Sequence, residues 1–260
     1  MNLRIRTRDD LTYNISDLNS DRIDFRRGET SLNLDIVEKS FRNGAVLIGE
    51  RRIASKELSI GLEVFDDDDT GFRSSFNNFC YYASQVEYIE DTDNNIRTKV
   101  EFAGYGDNPY QTQGSINRGG YIDLKFIQLT PFWEDLTAQT DTDTGTDLTF
   151  SLNNSGYLDC PPTFTIAASA LCTSILIYIS DPVRGIEIQD LSFGYDSTLD
   201  DYVINCEDGT ALMGDDSYNR NDRIRGGSGF FDFPVGAFTL NAEFAVSCQC
   251  DISWRRRYWI

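Results

Sequence analysis

Ten residues near the middle of the chain, Tyr121 to Thr130, followed at once by Pro131-Phe132-Trp133-Glu134, constrain the fold more than any other stretch. Ile122, Leu124 and Phe126 alternate with Asp123 and Lys125, the period of a strand with one buried face. Pro131 has no amide hydrogen to give to a ladder, so pairing is expected to stop there. One body of strands therefore ends at this point and a second opens beyond it. The 260 residues suffice for two modules that each bury a core without disulfides or metal. The expected division is a first domain over 1–134, a linker over 135–147 and a second domain over 148–260.

In the first half, Leu32, Leu34 and Ile36 alternate with Asn33 and Asp35, and Leu58, Ile60, Leu62 and Val64 alternate with Ser59, Gly61 and Glu63. Both segments read as strands with one buried face. Gly44 to Gly49 with Glu50-Arg51-Arg52 reads as a short strand or loop returning to the surface. One helix interrupts the strands, because Phe72, Phe76, Phe79, Cys80 and Ala83 fall in one stripe at 3.6 residues per turn. Asp66 to Asp69 precede it with Asp69 or Thr70 as N-cap, placing negative charge at the positive end of the helix dipole. Val86 to Glu90 and Ile96 to Phe102 then flank a turn rich in Asp and Asn, which predicts a hairpin. A polar segment from Gly104 to Gly120 leads back to the strand first described.

Thr137 to Asp147 is rich in small polar residues and reads as a linker. Its acidic spacing mimics a calcium-binding loop, but Leu152 stands where that loop needs a bidentate glutamate and Thr146 where it needs glycine. After it come short strands: Leu148 to Leu152, Thr163 to Ala167, Ser174 to Ser180, Gly185 to Ile188, Tyr202 to Asn205 and Ala237 to Leu240. Their regular spacing, without a helical stripe, predicts a β-sandwich. In the last strand Phe244, Val246, Cys248, Cys250, Ile252 and Trp254 share one face, which makes Cys248 and Cys250 core residues.

The balance of 23 basic against 42 acidic residues, a formal charge of −19, argues against gripping nucleic acid or an anionic membrane, both of which reward a basic face. Histidine is absent, which removes Ser/His and Cys/His nucleophilic pairs and the commonest transition-metal ligand. No catalytic constellation, cofactor motif or metal-ligand spacing emerges, and the chain is read as a non-enzyme without cofactors or metal. No apolar run reaches the roughly 20 residues of a membrane helix, and the N-terminus lacks an export signal, so folding in a cytoplasm with reduced thiols is expected. Arg255-Arg256-Arg257 is expected to pair with carboxylates of its own domain or a neighbouring subunit.

With both halves laid out, the chain resembles the distal tail (Dit) proteins of long-tailed bacteriophages. The resemblance lies in the order of parts: a sheet domain with one helix, closing on a strand and Thr130-Pro-Phe-Trp-Glu134, then a sandwich from about Asp147. Asn154-Ser-Gly156 leading to Pro161-Pro162-Thr-Phe-Thr-Ile166 is similar to the family's entry into its sandwich. Tyr202 to Asn205 with Asp208-Gly209 and Met213-Gly214 resembles its central hairpin, and Phe233-Pro234-Val-Gly236 its late turn, though Val235 and Ala237 depart from the residues usual there.

The resemblance implies a mainly β fold, with an N-terminal β-sandwich-like domain carrying one α-helix and a C-terminal galectin-like β-sandwich. It further implies a homo-hexameric ring at the tail tip of the virion, assembled in the bacterial host cytoplasm. That ring would extend the tail-tube channel and join the tail tube protein, tail-tip hub, tape-measure protein and receptor-binding components, with DNA passing unbound and no membrane partner. The hairpin tip, Asp91, Asp93, Asn94 and Asn95, and the Gly104 to Gly120 segment are the expected ring interface, since neither is needed for the core. The alternative is a carbohydrate-binding sandwich in which Trp133, Trp254 or Trp259 stacks on sugar rings, although most aromatics are expected to pack cores. A glycan hydrolase built on two carboxylates is a third reading, and no pair is singled out for it.

Overall fold

A computed structural model of the chain describes residues 2–15, 20–27, 32–33, 36–38, 45–47, 52–53, 56–66, 69–106, 118–180, 185–193, 201–214, 218–225 and 229–259. The chain divides into two units, Met1–Leu136 and Thr137–Trp259.

The first unit contains β1 (Leu3–Thr7), β2 (Thr12–Asn14), β3 (Ser20–Arg27), β4 (Leu32–Asn33), β5 (Ile36–Glu38), β6 (Ala45–Leu47), β7 (Arg52–Ile53) and β8 (Glu57–Asp66). The helix α1 (Asp69–Ser84) follows, then β9 (Val86–Asp91), β10 (Ile96–Tyr105), β11 (Arg118–Gln128) and β12 (Trp133–Asp135). The main sheet runs β2-β1-β9-β10-β11-β8-β3, all antiparallel, with β12 added on β10. Short pairs β4–β7 and β5–β6 stand apart from it, so the alternation from Leu32 to Ile36 is split between two strands, with residues 34 and 35 outside the described ones.

Alternation places Leu3 and Ile5 of β1, Ile89 of β9, Leu58 and Ile60 of β8, and Leu124 and Phe126 of β11 inside. Register then stacks them, Ile5 opposite Ile89, Leu124 opposite Ile60 and Phe126 opposite Leu58. Helix α1 lies over β1, β8 and β11 and buries Phe79 and Ala83, with the Tyr13 ring stacked on Tyr82 at 4.8 Å. Its start at Asp69 agrees with the acidic run before it, while residues 67 and 68 lie outside the described ones.

Pairing of β11 stops at Gln128, three residues before Pro131. The Gln128 side chain turns inward and its Nε2 donates to Thr98 Oγ1 at 2.7 Å and to the Phe132 carbonyl at 3.2 Å. The same carbonyl accepts from Thr98 Oγ1 at 3.0 Å. A buried amide thus closes the bend that the proline only passes through. Trp133, 1% exposed, belongs to the core of this unit.

The second unit contains β13 (Gln139–Asn154), β14 (Thr163–Ala168), β15 (Cys172–Ile179), β16 (Ile186–Phe193), β17 (Tyr202–Asn205), β18 (Thr210–Met213), β19 (Tyr218–Asn219), β20 (Gly236–Trp254) and β21 (Arg257–Tyr258). Strand β20 runs 19 residues where the sequence suggested two shorter strands. On one side it pairs β15 through Leu240 to Phe244 and then β14 through Cys248 to Ser253. On its other side it pairs β13 along nearly its whole length. Its even-numbered residues Leu240, Ala242, Phe244, Cys248, Cys250, Ile252 and Trp254 are buried together with Leu148, Phe150 and Leu152 of β13. The fold is therefore mainly β, two antiparallel bodies with one α-helix among the described residues, and the second body is a β-sandwich.

The segment expected as a linker is strand from Gln139 onward. Asp141, Asp143 and Gly145 sit opposite Ile252, Cys250 and Cys248, and threonines alternate with them. A ladder needs main-chain groups rather than apolar side chains, and β-branched threonine suits the pleat. A bulge between Gly145 and Asp147 shifts the parity, so the face shared with buried residues of β20 changes from odd positions to the even-numbered Leu148, Phe150 and Leu152, which are themselves buried.

Candidate functional site

The hairpin singled out from the sequence joins β9 to β10 through the turn Thr92 to Asn95. Asn95 takes φ of 54°, the left-handed conformation that asparagine tolerates. The Asp91 carboxylate accepts from the Asn94 amide nitrogen at 3.3 Å and from Asn94 Nδ2 at 2.8 Å. Asp91, one of the residues expected at a ring interface, is buried as the turn-former, its carboxylate engaged by two bonds within the turn. Asp93, Asn94 and Asn95 are exposed at the tip.

The tip is also fastened at both flanks. Thr92 donates from its amide and its hydroxyl to the Asn2 carbonyl, each at 3.0 Å, and the Leu136 amide donates to the Asn95 carbonyl at 2.9 Å. It is a rigid corner of the sheet rather than a free arm. Of the second expected interface segment, Gly104 to Gly120, residues 107 to 117 lie outside the described ones.

Below the tip, a row of alternating charge crosses four strands in register. Arg4 of β1 stands opposite Glu90 of β9, Glu90 opposite Arg97 of β10, and Arg97 opposite Glu134 of β12. Arg4 Nε donates to Glu90 Oε2 at 2.5 Å, Arg6 Nη1 approaches Glu90 Oε1 at 3.8 Å, and Arg97 Nε donates to Glu134 Oε1 at 2.8 Å. The Arg97 guanidinium also lies 4.1 Å from the centre of the Tyr88 ring. Glu90 is fully buried, the remaining charges less so. Sequence reasoning missed this row, because Arg4, Glu90, Arg97 and Glu134 are linked only by strand register.

In the second unit, Arg257 pairs with Glu207, as expected of the basic cluster, and Arg256 Nη1 donates to Ser155 Oγ at 3.0 Å. Asp232 lies close by, and burial raises its pKa while the Arg257 charge pulls it back. Trp133 and Trp254 are core residues and cannot stack on a sugar, whereas Trp259 is exposed. Tyr157, unremarked in the sequence, is 72% exposed, its ring edge-on to Tyr258 with centres 6.1 Å apart. Among the described residues no group of three or more Cys, Asp or Glu side chains could hold a metal ion, and no helix is long and apolar enough to cross a membrane. The site consists of a hairpin corner held at both flanks and, below it, a row of ion pairs centred on the buried Glu90.

The fold is shared, over nearly the whole length, by solved structures of phage tail and baseplate proteins. One such structure is the SPP1 Dit (gp 19.1) protein, a paradigm of the hub adsorption apparatus in phages that infect Gram-positive bacteria. It superposes with a TM-score of 0.69 at 12% identity, over 96% of this chain and 98% of that one. Chains of the phage P2 baseplate in its activated conformation, solved with Ca and with Sr, match with a TM-score of 0.56 at 10% identity, over 98% of this chain and 97% of those. At such identities the likeness shows the fold. No protein-family model matches the chain, and no curated protein sequence matches it.

Proposed function

We propose that this chain is a distal tail protein, the structural baseplate hub of a long-tailed bacteriophage. The observation that carries this reading is the agreement with SPP1 Dit over nearly the full length of both chains, which covers the order of the two bodies and not one domain alone. In this reading the 1–134 region forms a hexameric ring that extends the tail-tube channel. The galectin-like sandwich beyond it anchors the tail-tip hub, tape-measure end and receptor-binding components of the virion. Neither body supplies catalysis.

Charge supports the same role. Six copies at −19 each, −114 in all, leave a channel that DNA can cross without being held, since holding it requires cations to neutralise phosphates. The rigid hairpin corner, with Asp93, Asn94 and Asn95 outermost, is the proposed ring contact. Light scattering with negative-stain imaging of the purified chain tests the reading, and hexamers with a central hole are the expected result. A protein that stays monomeric alone and in the presence of its tail-tube partner overturns it.

A further inference from the structure

Strand β13 leaves one edge of the sandwich open among the described residues. It runs 16 residues and pairs with β20 on one side, while no described strand pairs with the other. Main-chain groups of successive residues in such a ladder point alternately to one neighbour and to the other. The Thr142 amide donates to Asp141 Oδ1 at 2.9 Å, and the Thr144 amide donates to Asp143 Oδ1 at 2.8 Å. These two amides therefore belong to the open edge, each held by the carboxylate of the residue before it. Thr142, Asp143, Thr144, Thr146 and Asp147 are exposed.

The charge along this edge has one sign. Strands β13 and β20 contain no lysine or arginine, while Asp141, Asp143, Asp147, Glu243 and Asp251 are all acidic. Threonine recurs at Thr140, Thr142, Thr144 and Thr146, a residue that suits the pleat of a paired strand. An unpaired row of main-chain donors and acceptors is a template for a further strand. A second copy of β13 is a poor occupant, because like charges opposite one another destabilise a strand pair.

We propose that the open edge of β13 is a docking site for an extended segment of a partner protein bearing lysine or arginine, which adds a strand to the sandwich. Docking is an exchange of acceptors. Carbonyls of the incoming strand take over the Thr142 and Thr144 amides, and its cationic side chains draw the released Asp141 and Asp143 carboxylates into cross-strand pairs. A neutral or acidic strand displaces the carboxylates and offers them no new partner. The edge lies in the second unit, and its docking role does not rest on the proposed ring.

The test uses the full-length chain and synthetic peptides of about eight residues, the length of an ordinary strand. One alternates lysine with threonine and one glutamate with threonine. A third is the lysine peptide N-methylated on its threonines, which blocks the peptide edge that would meet Thr142 and Thr144. Fluorescence anisotropy is expected to show the lysine peptide binding, and both other peptides binding about tenfold more weakly or not at all. Hydrogen exchange is expected to slow in residues 139–147 when the lysine peptide is bound. Asp141→Asn with Asp143→Asn keeps an acceptor for each amide and should weaken the lysine peptide about tenfold. Equal binding of the lysine peptide and its N-methylated form marks attraction of charge alone and overturns the proposal. No binding at about 1 mM, or protection that maps outside β13, overturns it as well. So does a dimer of the chain that protects the same amides, since the occupant is then a second copy. The peptide comparison runs on the unsubstituted chain and needs no variant to fold.

Discussion

Glu90 offers the sharpest test of the charge row. The change Glu90→Gln keeps the volume of the side chain and removes its charge, so no cavity term enters. Broken buried ion pairs cost about 3–5 kcal/mol because a charge is left without compensation. Here the orphaned partners can partly recover. The Arg4 and Arg6 side chains are 29% and 32% exposed and can turn toward water, and Arg97 keeps Glu134 at 2.8 Å. The expected cost is therefore smaller, about 2–3 kcal/mol, which corresponds to roughly 30- to 150-fold faster exchange of amides that open with β9 and β10. Hydrogen exchange read by mass spectrometry on peptides spanning residues 86–105 measures it locally, without assuming that the two units unfold together. Peptides of the second unit serve as the internal reference. The double change Arg4→Met with Glu90→Leu should restore most of the protection, because an apolar pair of similar size replaces the ions without desolvation. Protection of β9 and β10 in Glu90→Gln within about fivefold of the unsubstituted chain, a difference near 1 kcal/mol, would refute the reasoning.

Trp133→Ala empties a fully buried site and is expected to cost about 3–5 kcal/mol in the first unit, seen as a lower calorimetric midpoint, and an unchanged midpoint would contradict the packing described. Gly156→Ala puts a Cβ 2.8 Å from the Arg257 carbonyl oxygen, a backbone atom that cannot swing away, so calorimetry should show the second unit losing about 1–3 kcal/mol. Cys206 and Cys250, both pushed up to about 12 by burial, should resist iodoacetamide in the native chain at pH 8, where an ordinary thiol is partly ionised. By linkage the stability these two thiols contribute is complete below the ordinary thiol value and is lost as pH rises from there to about 12, which pH-dependent denaturation would reveal. Replacing the exposed Asp93 by lysine should leave the monomer folded, since Asp91, Asn94 and Asn95 still close the turn, and should prevent rings; rings that persist remove the hairpin tip from the interface.

Much of the architecture was legible because strands with one buried face write their period into the sequence. The run Phe244 to Trp254 is the clearest case, and its even-numbered residues do face the core. The stripe of α1 and the turn at Asp91 to Asn95 were legible for similar local reasons. Residues 139 to 147 were not, since a strand that places Asp141, Asp143 and Gly145 opposite Ile252, Cys250 and Cys248 carries no hydrophobic period and is held by its partner's main chain. Nor could the row Arg4, Glu90, Arg97, Glu134 be seen, because register is a property of pairs of strands up to 86 residues apart in sequence. The burial of Asp91 was missed for a smaller reason: a carboxylate beside a turn reads as solvated until its donors are known.

The long strand β20 has a consequence for the order in which the chain becomes structured during synthesis. Gln139 of β13 finds its partner only at Trp254, more than a hundred residues later, and both β14 and β15 depend on the same strand. The first unit can close its sheet while the remainder is still being made, whereas β13 must wait without a partner strand, and β14 and β15 without the strand that joins them, until residues 236 to 254 arrive. In that interval the edge of β13 is open, and Asp141 and Asp143 on it discourage pairing with another nascent chain. The same residues that hid this strand from a hydrophobic reading thereby act as its guard against misassembly.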